Sequence, residues 1–176
     1  MASFYLRRRE LDDTPVNGTT EKEDLEKLAD WVEEHGVFQD TKGLLRATNT
    51  DLDLQLKRLF QRPGVCDDQM VRNFVIRVLQ PGILRSIPGP AHLRVLKIHQ
   101  GTNPTATLLL DTESSSLQLS PDFVIEFKGR VAISPGVDAH VILKQERDKN
   151  EGDGSDADRI EDREKHGSEK QETLKQ

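Results

Sequence analysis

The chain has 176 residues, 34% of them apolar and 32% charged, and its 25 Lys and Arg against 31 Asp and Glu leave a net charge of −6. That length suits one domain, or one domain with disordered ends, and an aromatic content of only 5% calls for a mostly aliphatic core. No apolar run approaches the roughly 20 residues of a membrane-spanning helix, and the single cysteine, Cys66, excludes an intrachain disulfide and leaves no metal-site spacing.

At the N-terminus Arg7, Arg8 and Arg9 follow the few apolar residues instead of preceding a longer apolar stretch, which is the wrong order for a secretory signal. Ala2 rules out myristoylation at a second-position glycine. An intracellular chain, cytoplasmic or nuclear, is expected. Residues 1–19 mix Pro15, Gly18 and balanced charge with the apolar cluster Phe4, Tyr5 and Leu6, and read as a flexible arm that docks elsewhere.

The foldable core is expected over 20–143, helical over 20–82 and β over 83–143. Thr20 with Glu23 forms a capping box, and Leu25, Leu28, Ala29 and Val32 follow at helical spacing. Gly36 supplies a left-handed stop, with Val37 placed to close a Schellman motif against Val32. A second helix is read from a cap at Asn49 or Thr50 through Leu52, Leu56, Leu59 and Phe60, stopped by Pro63-Gly64; Leu54 does not fit the stripe. A third is read from Asp67 through Met70, Val71, Phe74, Val75, Val78 and Leu79, although its β-branched content also suits a strand.

After Pro90 the apolar period becomes alternating. Strands are predicted over 93–99, 105–110, 117–119, 123–128, 130–133 and 137–143, separated by Gly101, Asn103-Pro104, Pro121-Asp122, Gly129 and Pro135-Gly136. Helices followed by strands indicate an α+β fold, about three N-terminal helices packed on a small antiparallel sheet or partial β-barrel. Residues 144–176 hold 8 Lys and Arg and 11 Asp and Glu but only Ala157, Ile160 and Leu174 as apolar side chains, so a disordered mixed-charge tail is expected.

The common phosphate-cradle glycine motifs and the nucleophile elbow are missing, and the five histidines show no i, i+4 pair. Cys66 lies beside Asp67-Asp68, which disfavours a thiolate. His99 and His140 fall on predicted strands and would reopen an enzymatic reading only if a deep pocket held both with a carboxylate. The chain is therefore read as non-catalytic, without cofactor or metal.

Charge is distributed unevenly. Residues 20–56 carry −6 and residues 57–97 carry +6, the latter from Lys57, Arg58, Arg62, Arg72, Arg77, Arg85, Arg94 and Lys97. Six of the eight are arginine, the side chain suited to bidentate phosphate contact. This basic band predicts an anionic partner: nucleic acid, a nucleoprotein or an anionic membrane surface. The competing reading pairs these cations with the acidic first helix (Glu23, Glu26, Asp30, Glu33, Glu34) or with the tail. Trp31, off the centre of its helix stripe, and the Phe4-Tyr5 arm are candidate partner contacts.

These features describe a structural, assembly and binding protein, with self-association as part of the role. In size and outline, a core with charged ends and a basic band resembles the small matrix-type structural proteins of enveloped negative-strand viruses. That resemblance implies a homo-oligomer bridging nucleocapsid and membrane, peripheral at a bilayer or in a virion. An OB-like nucleic-acid-binding module and a protein adaptor with its basic segment self-neutralised are the other readings.

Overall fold

A computed structural model of the chain describes residues 3–41, 43–86, 89–110 and 114–146. In order these form β1 (Tyr5–Glu10), α1 (Glu21–His35), β2 (Phe38–Thr41), β3 (Leu44–Ala47), α2 (Leu52–Phe60), β4 (Met70–Val78), β5 (Gly82–Arg85), β6 (Ala91–Ile98), β7 (Thr105–Leu108), β8 (Ser115–Gln118), β9 (Phe123–Lys128), β10 (Arg130–Ile133) and β11 (Val137–Lys144). Among the described residues 46% lie in strands and bridges and 17% in helices, which overturns the expected α+β fold of three N-terminal helices on a small sheet or partial barrel. Seven strands form one sheet in the order β1-β9-β6-β11-β4-β3-β2, and four form a second in the order β5-β10-β7-β8. Every ladder is antiparallel.

The layers follow from two apolar clusters on opposite faces of the large sheet. Leu93, Val95, Ile125, Phe127 and Val141 of that sheet meet Leu84, Leu108 and Val131 of the small one. On the other face Val75, Leu96 and Ile142 meet Leu25, Leu28 and Val32 of α1 and Leu56 and Leu59 of α2. The large sheet is thus the middle layer, and β11 near its centre is buried at all eight positions.

This layering explains why the third expected helix is β4. A strand covered on both faces reads as continuous apolar sequence, and the periodicity of such a run does not separate it from a buried helix. Phe74, Ile76 and Val78 point to the small sheet, and Val75 points to the helices. The β-branched residues decide in favour of the strand.

The first helix forms as its capping box predicts: the Thr20 hydroxyl accepts from the Glu23 amide, and the Glu23 carboxylate accepts from the Thr20 amide. Its end differs from expectation. Gly36 has φ −60, so no left-handed cap forms, and the Val37 amide donates to Asn49 Oδ1 instead of closing a Schellman motif. Glycine is required there by space, because a Cβ would lie 2.3 Å from the Val32 carbonyl oxygen.

Residues 1–19, read as an arm, contribute β1 to the edge of the large sheet, with Leu6 opposite Phe127 and Arg7 opposite Glu126. Lys144, assigned to the tail on sequence, closes β11, where its ammonium donates to the Gly64 carbonyl and to Asp67 at 2.8 Å each. From residue 147 onward the expected disordered tail lies outside the described residues.

The helix layer makes a direct prediction. Leu56 is fully buried, whereas Leu54, two residues away, is 67% exposed. Leu56→Ala should cost about 2–5 kcal/mol in urea denaturation, and Leu54→Ala should stay within about 0.5 kcal/mol.

Candidate anion-binding cleft

The eight cations of the band divide into two groups. Four are neutralised. Arg62 and Arg94 are buried, and each meets a carboxylate of α1. The Arg62 guanidinium donates to Asp24 Oδ2 from Nε at 3.0 Å and from Nη2 at 2.7 Å, and also to the carbonyls of Thr14 and Thr19. Arg94 Nε donates to Glu21 Oε1 at 2.9 Å, while its two terminal nitrogens have no hydrogen-bond partner among the described residues. Arg77 forms a two-point pair with the buried Asp138 at 2.9 and 2.8 Å and covers the Phe38 ring. Lys97 pairs with Glu33.

Sequence reasoning named α1 as the neutralising element but missed Glu21 and Asp24. Both lie on the buried stripe with Leu25, Leu28 and Val32. Their spacing in phase with that stripe was the available signal.

The other four, Lys57, Arg58, Arg72 and Arg85, are exposed and have no carboxylate partner among the described residues. Lys57 and Arg58 lie on the last turn of α2. Arg72 and Arg85 are brought together, with Lys128 and Arg130, around a cleft of about 770 Å³ between the two sheets. Phe4, Leu109 and Leu143 give it an apolar lining, and Ser86, Gly129 and Glu146 complete it. The volume lies within the range of ordinary ligand sites.

Local geometry accounts for this convergence. In the β4–β11 ladder Leu143 faces Arg72 and Lys144 faces Met70, so Val71 is an extra, bulged residue. A bulge bends its strand and re-aims adjacent side chains. At the other wall Gly129, at φ +122, passes the chain from β9 in the large sheet to β10 in the small one. The Gly129 amide donates to Ser86 Oγ at 2.8 Å, which fixes this corner.

Arg130 is the cross-strand partner of Arg85, so two guanidinium side chains share one face of the small sheet in directly opposed positions. Like charges so placed are destabilising. Leu109 continues the row, its amide donating to the Arg130 carbonyl at 2.8 Å. The carboxylate at the cleft is Glu146, which accepts from Lys128 Nζ at 2.7 Å. Arg72, Arg85 and Arg130 pair with no acid among the described residues.

The remaining candidates take other roles. Phe4 is exposed at the cleft, and Tyr5 lies in β1 with Arg7 over its ring. Trp31 is half-buried against the helix-layer core and stacks on His35. His99 and His140 are not brought to one site. His99 Nε2 lies 3.0 Å from Asp138, whereas His140 is fully buried beside Phe60 with neither ring nitrogen bonded among the described residues. No group of three metal-ligating side chains occurs among the described residues, and no helix among them is long and apolar enough to cross a membrane. Lys128 and Arg130 were missed on sequence because they lie in a segment of net charge −3 (98–143) and join the band only across the sheet interface.

Comparison with family models and with curated proteins finds no match to this chain.

Two buried features give testable outcomes. Removing one partner of a buried ion pair strands the other charge, so Asp24→Asn should cost about 3–5 kcal/mol in chemical denaturation. Burial pushes the His140 imidazole down to about 3, and burial with the Arg94 charge pushes His92 down to about 4, from an ordinary value of 6.5. Below pH 6.5 the unfolded chain binds these protons and the folded chain does not, so stability falls as pH drops from 6.5 towards 4. Each histidine contributes a slope of up to about 1.4 kcal/mol per pH unit. Urea titrations between about pH 7 and pH 5 should show this decline, and His140→Phe should make it shallower.

Proposed function

We propose that this chain is a non-catalytic binding and assembly protein that engages a phosphate-bearing anionic partner through the cleft of Arg72, Arg85, Lys128 and Arg130. The observation that carries the reading is the opposed pair Arg85 and Arg130. Two like charges held in register lower the stability of the fold, and no carboxylate pairs with them among the described residues. An anionic ligand relieves that repulsion. Arginine also supplies the two-point geometry that phosphate oxygens accept. The bulge at Val71 and the corner at Gly129 support the same reading, since both re-aim side chains into the cleft.

The adaptor reading retains one specific support. Arg62, Arg77, Arg94 and Lys97 are already paired inside the chain, so half of the basic band serves the fold.

Fluorescence anisotropy with single-stranded RNA and DNA, together with co-sedimentation on anionic vesicles, separates the two across a salt series. The triple substitution Arg72→Gln, Arg85→Gln and Arg130→Gln should weaken binding at low salt by about tenfold or more. For a nucleic acid it should also flatten the slope of log K against log salt by roughly 0.7–0.9 for each phosphate left without its cation. Lys57→Gln with Arg58→Gln, on the α2 surface, should have the smaller effect. Equal effects of the two sets, or no binding by the unaltered chain, would favour the adaptor.

A further inference from the structure

We infer that residues 148–162 of this same chain are an intramolecular occupant of the cationic cleft and compete with its external partner. The inference rests on reading the cleft as an anion site and adds the regulation of that site.

Three observations converge. The first is where the chain leaves the fold: β11 ends at Lys144, and two residues later Glu146 forms part of the cleft lining. The second is that the carboxylate just before this stretch lines the cleft and pairs with one of its cations, since Glu146 accepts from Lys128 Nζ at 2.7 Å. The third is charge. Residues 148–162 carry seven carboxylates (Asp148, Glu151, Asp153, Asp156, Asp158, Glu161, Asp162) against Lys149 and Arg159, a net charge of −5. The cleft opposes three arginines and one lysine to Glu146 alone among its lining residues.

Reach is no obstacle. Asp153 is seven residues beyond Glu146, and seven residues of extended chain span at most about 25 Å. A segment tethered at the mouth of its own binding site acts at an effective concentration of order millimolar. Even a weak carboxylate–guanidinium contact then competes measurably, and the apparent affinity for an external anion falls by the fraction of clefts occupied. Salt screens both contacts.

The test uses the full chain and a single-stranded oligothymidylate as the anionic probe. Glu151→Gln, Asp153→Asn and Asp156→Asn together should tighten probe binding by roughly three- to tenfold at low salt. A second triple, Glu26→Gln, Asp30→Asn and Glu34→Gln, removes the same charge from the exposed side of α1 and should tighten it less. Equal gains from the two triples would overturn the inference, because only net charge would then matter.

A nitroxide at position 155, introduced as Ser155→Cys in a Cys66→Ser background, gives an independent readout. It should broaden the amide signals of Ser86, Leu109 and Gly129, and about 0.5 M salt should abolish the effect. No broadening at those amides would overturn the inference. Broadening in a chain that binds no probe would sustain the intramolecular contact while refuting the external partner.

Discussion

Two ion pairs set one turn apart on the buried face of α1 organise this molecule. Glu21 reaches Arg94 of β6 and Asp24 reaches Arg62 beyond α2, both out of contact with water. A charge in that position is tolerable only while its partner stays in place. The helix layer therefore has one acceptable seat on the large sheet. Leu25, Leu28 and Val32 complete it with apolar packing. Arg62 and Arg94 are thereby neutralised by α1, whereas Arg72, Arg85 and Arg130 at the opening between the sheets pair with no acid among the described residues.

The cleft follows from how the second sheet joins the first. The chain turns out of β9 at Gly129 and immediately lays down Arg130 beside Arg85, while the bulge at Val71 sets Arg72 opposite Leu143 on the other wall. The result is a cationic rim over an apolar lining, built from strands of both sheets. Under the binding role proposed above, such a cleft would select ligands by charge and shape.

Much of the secondary structure was legible in the sequence where caps, turn residues and apolar spacing agree. The capping box at Thr20 and Glu23 marked the start of α1, and the apolar spacing of Leu52, Leu56 and Leu59 marked α2. The alternation after Pro90, with glycine and proline between runs, marked the strands now named β6 to β11. Legibility failed where the apolar residues of a buried strand also fall at helical spacing, or where strands are short and polar. β4 carries apolar residues on both faces and mimics a helix, and β2, at an edge, offers only Phe38 as an inward residue. The fold class was misread for that reason. The charge asymmetry was legible as a sum but not as a surface, because pairing across layers consumed Arg62, Arg77, Arg94 and Lys97, while the sheet interface added Lys128 and Arg130.

The binding surface proposed for this chain is the cleft between the sheets and not the cationic turn of α2. Backbone amide chemical-shift mapping of the full chain, titrated with a short phosphodiester oligonucleotide at low salt, tests it most directly. Saturable shifts concentrated at Ser86, Leu109, Gly129 and Arg130 are expected, with Lys57 and Arg58 unmoved. Shifts centred on Lys57 and Arg58, or none that saturate, would contradict it.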